Sequence, residues 1–580
     1  MGIRTLFFPI VAIGLGTLNG CAAPATPSAF SDRQLMYTPN DSDRSADLER
    51  LLTAELAASR GQFETATREY LSHGERMTTP AMAERATRLA GQTNDELLLR
   101  QTASLWAEVA PANPLPRHIL AELAGSNRDW PEALTLLLTL PPDERPTLAG
   151  FIDNAIHHGA DAKGFIPPLQ RHIAAHPTDQ EARLALILAD IHADRLDVAR
   201  QRYQQERPES IRSTGVNYWL VGQQLWLADR QPDRAIASAR AGLAVHPNDY
   251  RLTVALIQAR LAAGEPERTR PLTAQLLART DDDTSLRLSL ARLHLGYKAP
   301  EQAMALLSPL LDTDQPEGLL LAASAATQQN NPSQALVYYE RIPEGSAFMA
   351  AQRQAVALLL DINQPDDAVA WLQAQRDRHP HYLAELAASQ VALLDRLDAP
   401  GQGDQLLNDL IDNHPDHNDD LLYLRAMRRL NQQKTGPALD DLRLLVERHP
   451  DQPHLLNAYG YTLADLTDRS REAIALLEKA HRLAPDDPAI QDSLGWAYTR
   501  AGRYREGILL LKQAYNDMPD EELAAHLAEA LWLDRHRPQA LAVINDALER
   551  FEEHPTLDDL LSRHPSLRPE QGTSSTQIHE

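Results

Sequence analysis

The chain has 580 residues, 43% of them hydrophobic and 23% charged, so it carries enough apolar material for a large interior and too much for a disordered chain. Acidic residues outnumber basic ones by 80 to 56, a net charge of −24, which argues against nucleic acid as a partner because phosphate binding needs concentrated Lys and Arg. A single cysteine excludes an internal disulfide framework and any Cys-ligated metal cluster.

Residues 1–20, MGIRTLFFPIVAIGLGTLNG, hold one charge, Arg4, ahead of an apolar run from Leu6 to Leu18. That order is the layout of a secretory signal, and the run falls short of the roughly 20 residues needed to cross a bilayer. Leu18-Asn19-Gly20-Cys21 follows directly and resembles a bacterial lipobox. The resemblance implies lipid attachment at Cys21, which becomes the first mature residue and carries acyl chains such as palmitate. Each buried methylene contributes about 0.8 kcal/mol, so several chains on one cysteine hold stably to a membrane. Ala22, where an aspartate would signal inner-membrane retention, implies the outer membrane and its periplasmic face. Residues 21–46 are rich in Pro, Ser and Asp without an apolar period, and read as a flexible tether reaching roughly 25–30 Å.

From Asp47 to Pro565 the sequence reads as helix after helix, rich in Ala, Leu, Arg, Glu and Gln, with apolar positions at helical spacing and no alternating strand pattern. It is also self-similar at a fixed period. The segment PAIQDSLGWAYTRAGRYREGILLLKQAYNDMP places Leu494, Gly495, Tyr498, Gly502, Tyr504, Gly507, Leu511, Ala514 and Pro519 at the spacings of a tetratricopeptide repeat, which it resembles. A small residue recurs at Ala426, Gly460, Gly495 and Ala528, at intervals of 34, 35 and 33. A second set, Ala438, Ala473, Gly507 and Ala540, and the prolines Pro415, Pro450, Pro485 and Pro519 keep the same register. Upstream the second set continues through Ala66, Ala133, Ala199, Ala235, Ala303, Ala335 and Ala368. Small side chains let two helices approach to about 8–10 Å, and proline ends the second helix of each unit. The predicted fold is therefore all-α, a tetratricopeptide-repeat superhelical solenoid of about fifteen helix-turn-helix units. Degenerate repeats cover 47–247, middle repeats 248–415 and regular repeats 416–565, with a disordered tail over 566–580.

The chain contains no GxSxG, GxxxxGK[ST], GxGxxG or HExxH motif, so neither an enzyme nor a cofactor or metal site is expected. His176, His246, His379, His414 and His449 each precede a proline, which places them at helix ends on separate units rather than around one metal. The acidic runs Asp416–Asp420 and Asp281–Asp283 read as solvated turns. The informative surface is the one lined by the first helix of each unit. In this repeat family the second, fifth, ninth, twelfth and thirteenth positions tend to face it. They give Tyr423, Met427, Asn457, Tyr461, Asp492, Trp496, Arg500, Glu529 and Trp532 as partner-binding candidates. Aromatics interleaved with polar groups suit an extended peptide or a helix with apolar anchors. The same aromatics could equally pack between adjacent units, and the sequence leaves both readings open.

A lipobox followed by some fifteen such units resembles the large periplasm-facing repeat lipoproteins of Gram-negative outer membranes. Within that class the layout is most similar to the lipoprotein binding partners of carboxyl-terminal processing proteases. The resemblance implies a non-enzymatic adaptor that activates a periplasmic serine protease and presents peptidoglycan hydrolases to it. The alternative is a structural scaffold of an envelope machine for polysaccharide export, pilus or outer-membrane assembly. Homo-oligomerisation stays open.

Overall fold

The computed structural model describes residues 41–568, apart from 73–78, 94, 143, 207–214, 416–417 and 552. The signal, Cys21 and most of the tether and tail lie outside the described residues, as do Asp416 and His417. The first helix, Asp41–Ser59, takes in the end of the segment read as tether. At the other end a short turn, Pro565–Leu567, takes in the start of the segment read as tail, and Leu567 is buried.

Among the described residues there are 31 α-helices and no strand; the helices fall into fifteen pairs and a closing helix, Pro555–Arg563. The small residues read from the sequence sit where the two helices of a pair touch. Ala66, Ala133, Ala199, Ala235, Ala303, Ala335, Ala368, Ala438, Ala473 and Ala540 are all 0% exposed. A close backbone approach lies between Pro488–Arg500 and Tyr504–Asp517. A Cβ on Gly507 would stand 2.7 Å from the carbonyl oxygen of Gly495, and one on Gly495 would stand 2.8 Å from Cγ of Leu511. Only glycine allows two backbones to meet this closely.

The turn within each pair also repeats. Asp194, Arg230, Gly264, Lys298, Asn330, Asn363, Asp398, Gln433, Gly502 and Arg535 all take the left-handed conformation, with φ between 55 and 78°. The following residue then donates to a carbonyl five positions back, as from Gln231 to Trp226 (2.7 Å) and from Arg503 to Tyr498 (2.8 Å). This closes the last turn of the first helix and sends the chain back along it. Two pairs differ: Pro80–Ala90 runs into Gly91 at φ −65°, and Pro453–Leu466 ends on an extended Thr467, where one extra residue separates Gly460 from Ala473. Between pairs, His176, His246, His379, His414 and His449 cap the second helices with φ from −122 to −127°. Each is kept out of the helical region by the proline behind it.

The chain divides at Ile342–Pro343 into two compact units, inside the block of middle repeats rather than at residues 247 or 415. In the first unit, one core cluster runs from Leu184 to Ala259 across the helices between Gln180 and Ala262. In the second, a continuous core runs from Ala387 to Ala497, and a further one gathers the last pairs and the closing helix. Each pair buries its apolar stripe against its neighbours, so within each unit the fold is a stack of repeats.

Candidate protein-interaction face

Four first helices carry the candidate residues: Asp419–Asn431, Pro453–Leu466, Pro488–Arg500 and Glu521–Leu533. Asp487 and Asp520 start the last two by accepting bonds from exposed backbone amides, which fixes where each helix begins. Tyr423, Asn457 and Asp492 fall four residues into their helices; Met427, Tyr461, Trp496 and Glu529 fall eight in. Pro453–Leu466, Pro488–Arg500 and Glu521–Leu533 pack on one another in succession, so their positions form a row.

The row is bound together by hydrogen bonds that cross from pair to pair. Trp496 is 4% exposed; its indole Nε1 donates to Asp465 Oδ1 at 3.0 Å. Its ring stacks on the imidazole of His526, with centroids 4.3 Å apart and planes 14° from parallel. His526 Nδ1 lies 2.9 Å from Asp492 Oδ2, and both side chains are buried. The Tyr461 hydroxyl donates to Glu522 Oε1 at 2.6 Å. Trp496 therefore packs between repeats, and of the two readings left open by the sequence this is the one the indole adopts. Burial works against a charged His526, yet the carboxylates of Asp492, Glu522 and Asp465 outweigh it and raise its pKa above the usual imidazole value. Tyr461 is pushed up by burial first, then by the acids around its hydroxyl, and stays a neutral donor.

The end of the row is covered. Glu529 accepts two bonds from Arg563, at 2.6 and 2.8 Å, and His564 stands 3.5 Å away. His564 also lies against Trp532, with centroids 6.1 Å apart. Met427 packs against the core of its unit. What remains open is Tyr423, which is exposed, and Arg500; the Oδ1 of Asn457 is buried beneath the surface and has no hydrogen-bond partner. Arg500 is exposed, and its guanidinium sits 5.9 Å over the Trp496 ring.

Reading by register missed Asp465, Glu522, His526, Arg563 and His564. His526 lies one position beside the row, where its ring reaches both Trp496 and Asp492; a histidine in that register next to an indole and an acid is the signal available. Among the described residues no group of three or more His, Cys, Asp or Glu is placed to share a metal ion, and no helix is long and apolar enough to cross a membrane.

No protein-family model matches the chain. It is 28% identical over 487 residues, 83% of this chain and 81% of the other, to a tetratricopeptide repeat-containing protein of Pseudomonas aeruginosa. The fold is a tetratricopeptide-repeat fold. Among solved structures, the chain is similar to a tetratricopeptide repeat protein from Parabacteroides merdae, at 17% identity and a TM-score of 0.31 over 37% of this chain and 84% of that one. It is also similar to the Naa15/Naa10 complex bound to HypK-THB, at 12% identity and a TM-score of 0.32 over 90% of this chain and 78% of that one. As tetratricopeptide repeats the helix pairs supply a framework for protein–protein interaction.

Proposed function

We propose that the chain is a non-enzymatic scaffold, held by lipid on Cys21 at the periplasmic side of the outer membrane, that captures other envelope proteins on the first-helix face between residues 419 and 500. One observation carries the reading: the face is rigid beneath and exposed above. Stacking of Trp496 on His526 and the bonds to Asp465, Asp492 and Glu522 fix the floor. Over it stand an exposed tyrosine and a guanidinium facing solvent across an indole. An arginine and aromatics over a preorganised base are the side chains on which binding energy concentrates.

The finer reading is an adaptor that activates a carboxyl-terminal processing protease and presents peptidoglycan hydrolases to it. Its support is the lipobox at Cys21 joined to repeats along nearly the whole chain. Cross-linking from position 423 or 500 in living cells, followed by mass spectrometry, tests it. A protease and hydrolases among the products support the adaptor; pore or pilus subunits support the envelope-machine scaffold instead. Tyr423→Ala, Asn457→Ala and Arg500→Ala together should weaken capture at least tenfold while melting as the parent does. Undiminished capture would move the site elsewhere. Cys21→Ser should abolish uptake of labelled fatty acid, and label in that variant would remove the anchor from the proposal.

A further inference from the structure

One pair in the first unit, like the pair that ends in Ile166–Ala175, has a broken second helix. Its second helix, Arg270–Arg279, is preceded by a 3-10 turn, Pro266–Thr269, and runs 10 residues where Pro232–Val245 runs 14. Thr269 holds the small-residue position, 34 residues after Ala235 and 34 before Ala303, and is 0% exposed. The shortened helix packs only lightly on the next first helix, Thr284–Gly296. Between these two helices and Pro300–Leu311 lies a cavity of about 520 Å³. That volume falls in the range of small-molecule sites, roughly 300–1,000 Å³.

The cavity has aliphatic walls, including Ala274, Leu277 and Leu306, and two buried basic side chains, His294 and Arg287. Both nitrogens of His294 are committed. The carbonyl of Leu290 (2.7 Å) takes the proton of Nδ1, and Nε2 lies 2.8 Å from the Thr269 hydroxyl, whose proton it shares with the Pro266 carbonyl at 2.6 Å. Burial holds this ring neutral by lowering its pKa. Arg287 is different. It is 8% exposed and donates to the Leu306 carbonyl at 3.1 Å and to Asp282 Oδ1 at 2.5 Å. Asp282 stands at the rim of the cavity: its side chain is 65% exposed, on a turn where Asp281 and Asp282 both adopt left-handed φ, 48 and 62°. The other cation at the cavity, Arg270, is mostly exposed and paired with Glu267 at 3.1 Å. A buried guanidinium thus faces an aliphatic chamber, with its charge answered by a carboxylate reaching in from a strained, solvated turn.

We propose that this cavity binds a small aliphatic monocarboxylate, its apolar body against Ala274, Leu277 and Leu306 and its carboxylate on Arg287 in the place of Asp282. Burying the chain drives entry, and the planar guanidinium offers a carboxylate paired donors. The site is independent of the first-helix face, so its failure would leave the scaffold reading untouched.

Isothermal titration of the full chain with decanoate, below its micellar concentration, tests the site. Decanoate should bind saturably with one site per chain, and decanol at least tenfold more weakly. Arg287→Gln should weaken decanoate binding tenfold or more. Asp282→Asn, which suits a left-handed turn, should tighten it severalfold by releasing Arg287. Absence of saturable binding at millimolar decanoate, equal affinity for decanol, or weaker binding in Asp282→Asn would each overturn the proposal. Should Arg287→Gln fail to fold, the decanol comparison and Asp282→Asn decide.

Discussion

In the pair Pro488–Arg500 and Tyr504–Asp517, two glycines let the backbones touch, and Leu511 fills the space beside them. In the pair Tyr250–Ala262 and Arg270–Arg279, a threonine stands at the small position and gives its hydroxyl to His294 on the following helix. The first arrangement closes the contact by removing atoms, and nothing larger fits. The second closes it with a directed bond between polar groups, which holds helices apart and leaves the chamber beside Arg287. One repeat period therefore accommodates both a seam of van der Waals contact and a polar joint with room inside.

The largest expected effect tests the tight seam. Gly495→Trp should destabilise by more than the ~1–3 kcal/mol usual for overpacking, because its Cβ alone would meet Leu511 and the Gly507 carbonyl. The urea midpoint of the full chain measures it; a midpoint like the parent's would mean the helices can part freely. Thr269→Val comes next, at about 1–3 kcal/mol, since it strands a buried acceptor on His294, whereas Thr269→Ser should cost well under half of that. Equal losses in the two variants would show that the methyl group, not the hydroxyl, holds the joint.

The two buried histidines should also slope in opposite directions with pH. His526 has a raised pKa, so its pair with Asp492 contributes fully below the unfolded value of about 6.5 and is lost as pH rises through the folded one. His294 has a lowered pKa, so its contribution is full above about 6.5 and is lost as pH falls. Unfolding of His526→Gln and His294→Gln at a series of pH values should show the gap to the parent closing upward for the first and downward for the second. Parallel curves would refute the contrast. The smallest effect belongs to the turns: Arg535→Gly removes a side chain from a left-handed residue at φ 66° and should stabilise by up to ~1 kcal/mol, read from the melting temperature.

The fold was legible because its determinants are local and repeated. Ala438, Ala473, Gly507 and Ala540 announce the helix contacts by size alone, and each lies in a second helix where the period puts it. Thr269 escaped because a threonine is not small; its role rests on a hydroxyl meeting a histidine 25 residues on. Gly403 is buried at the same position of Pro400–Asn413. The interaction face was half legible. Register placed Tyr423, Asn457 and Arg500 on it, but register says nothing of which atoms are already bonded. That Trp496 is tied to Asp465 and His526, and Glu529 to Arg563, depends on partners 30 to 34 residues away in sequence.

The bond from Tyr461 to Glu522 skips a unit. It links the pair beginning at Pro453 to the pair beginning at Glu521, over the pair between them. Stacked repeats ordinarily behave as a one-dimensional chain in which each unit feels only its immediate neighbours, so that the end unit frays first and alone. Here the terminal pair cannot detach without also breaking a contact two units back. The last three pairs and the closing helix should thus melt as one cooperative block, with amide exchange protection that stays level to the end of the array instead of decaying toward it.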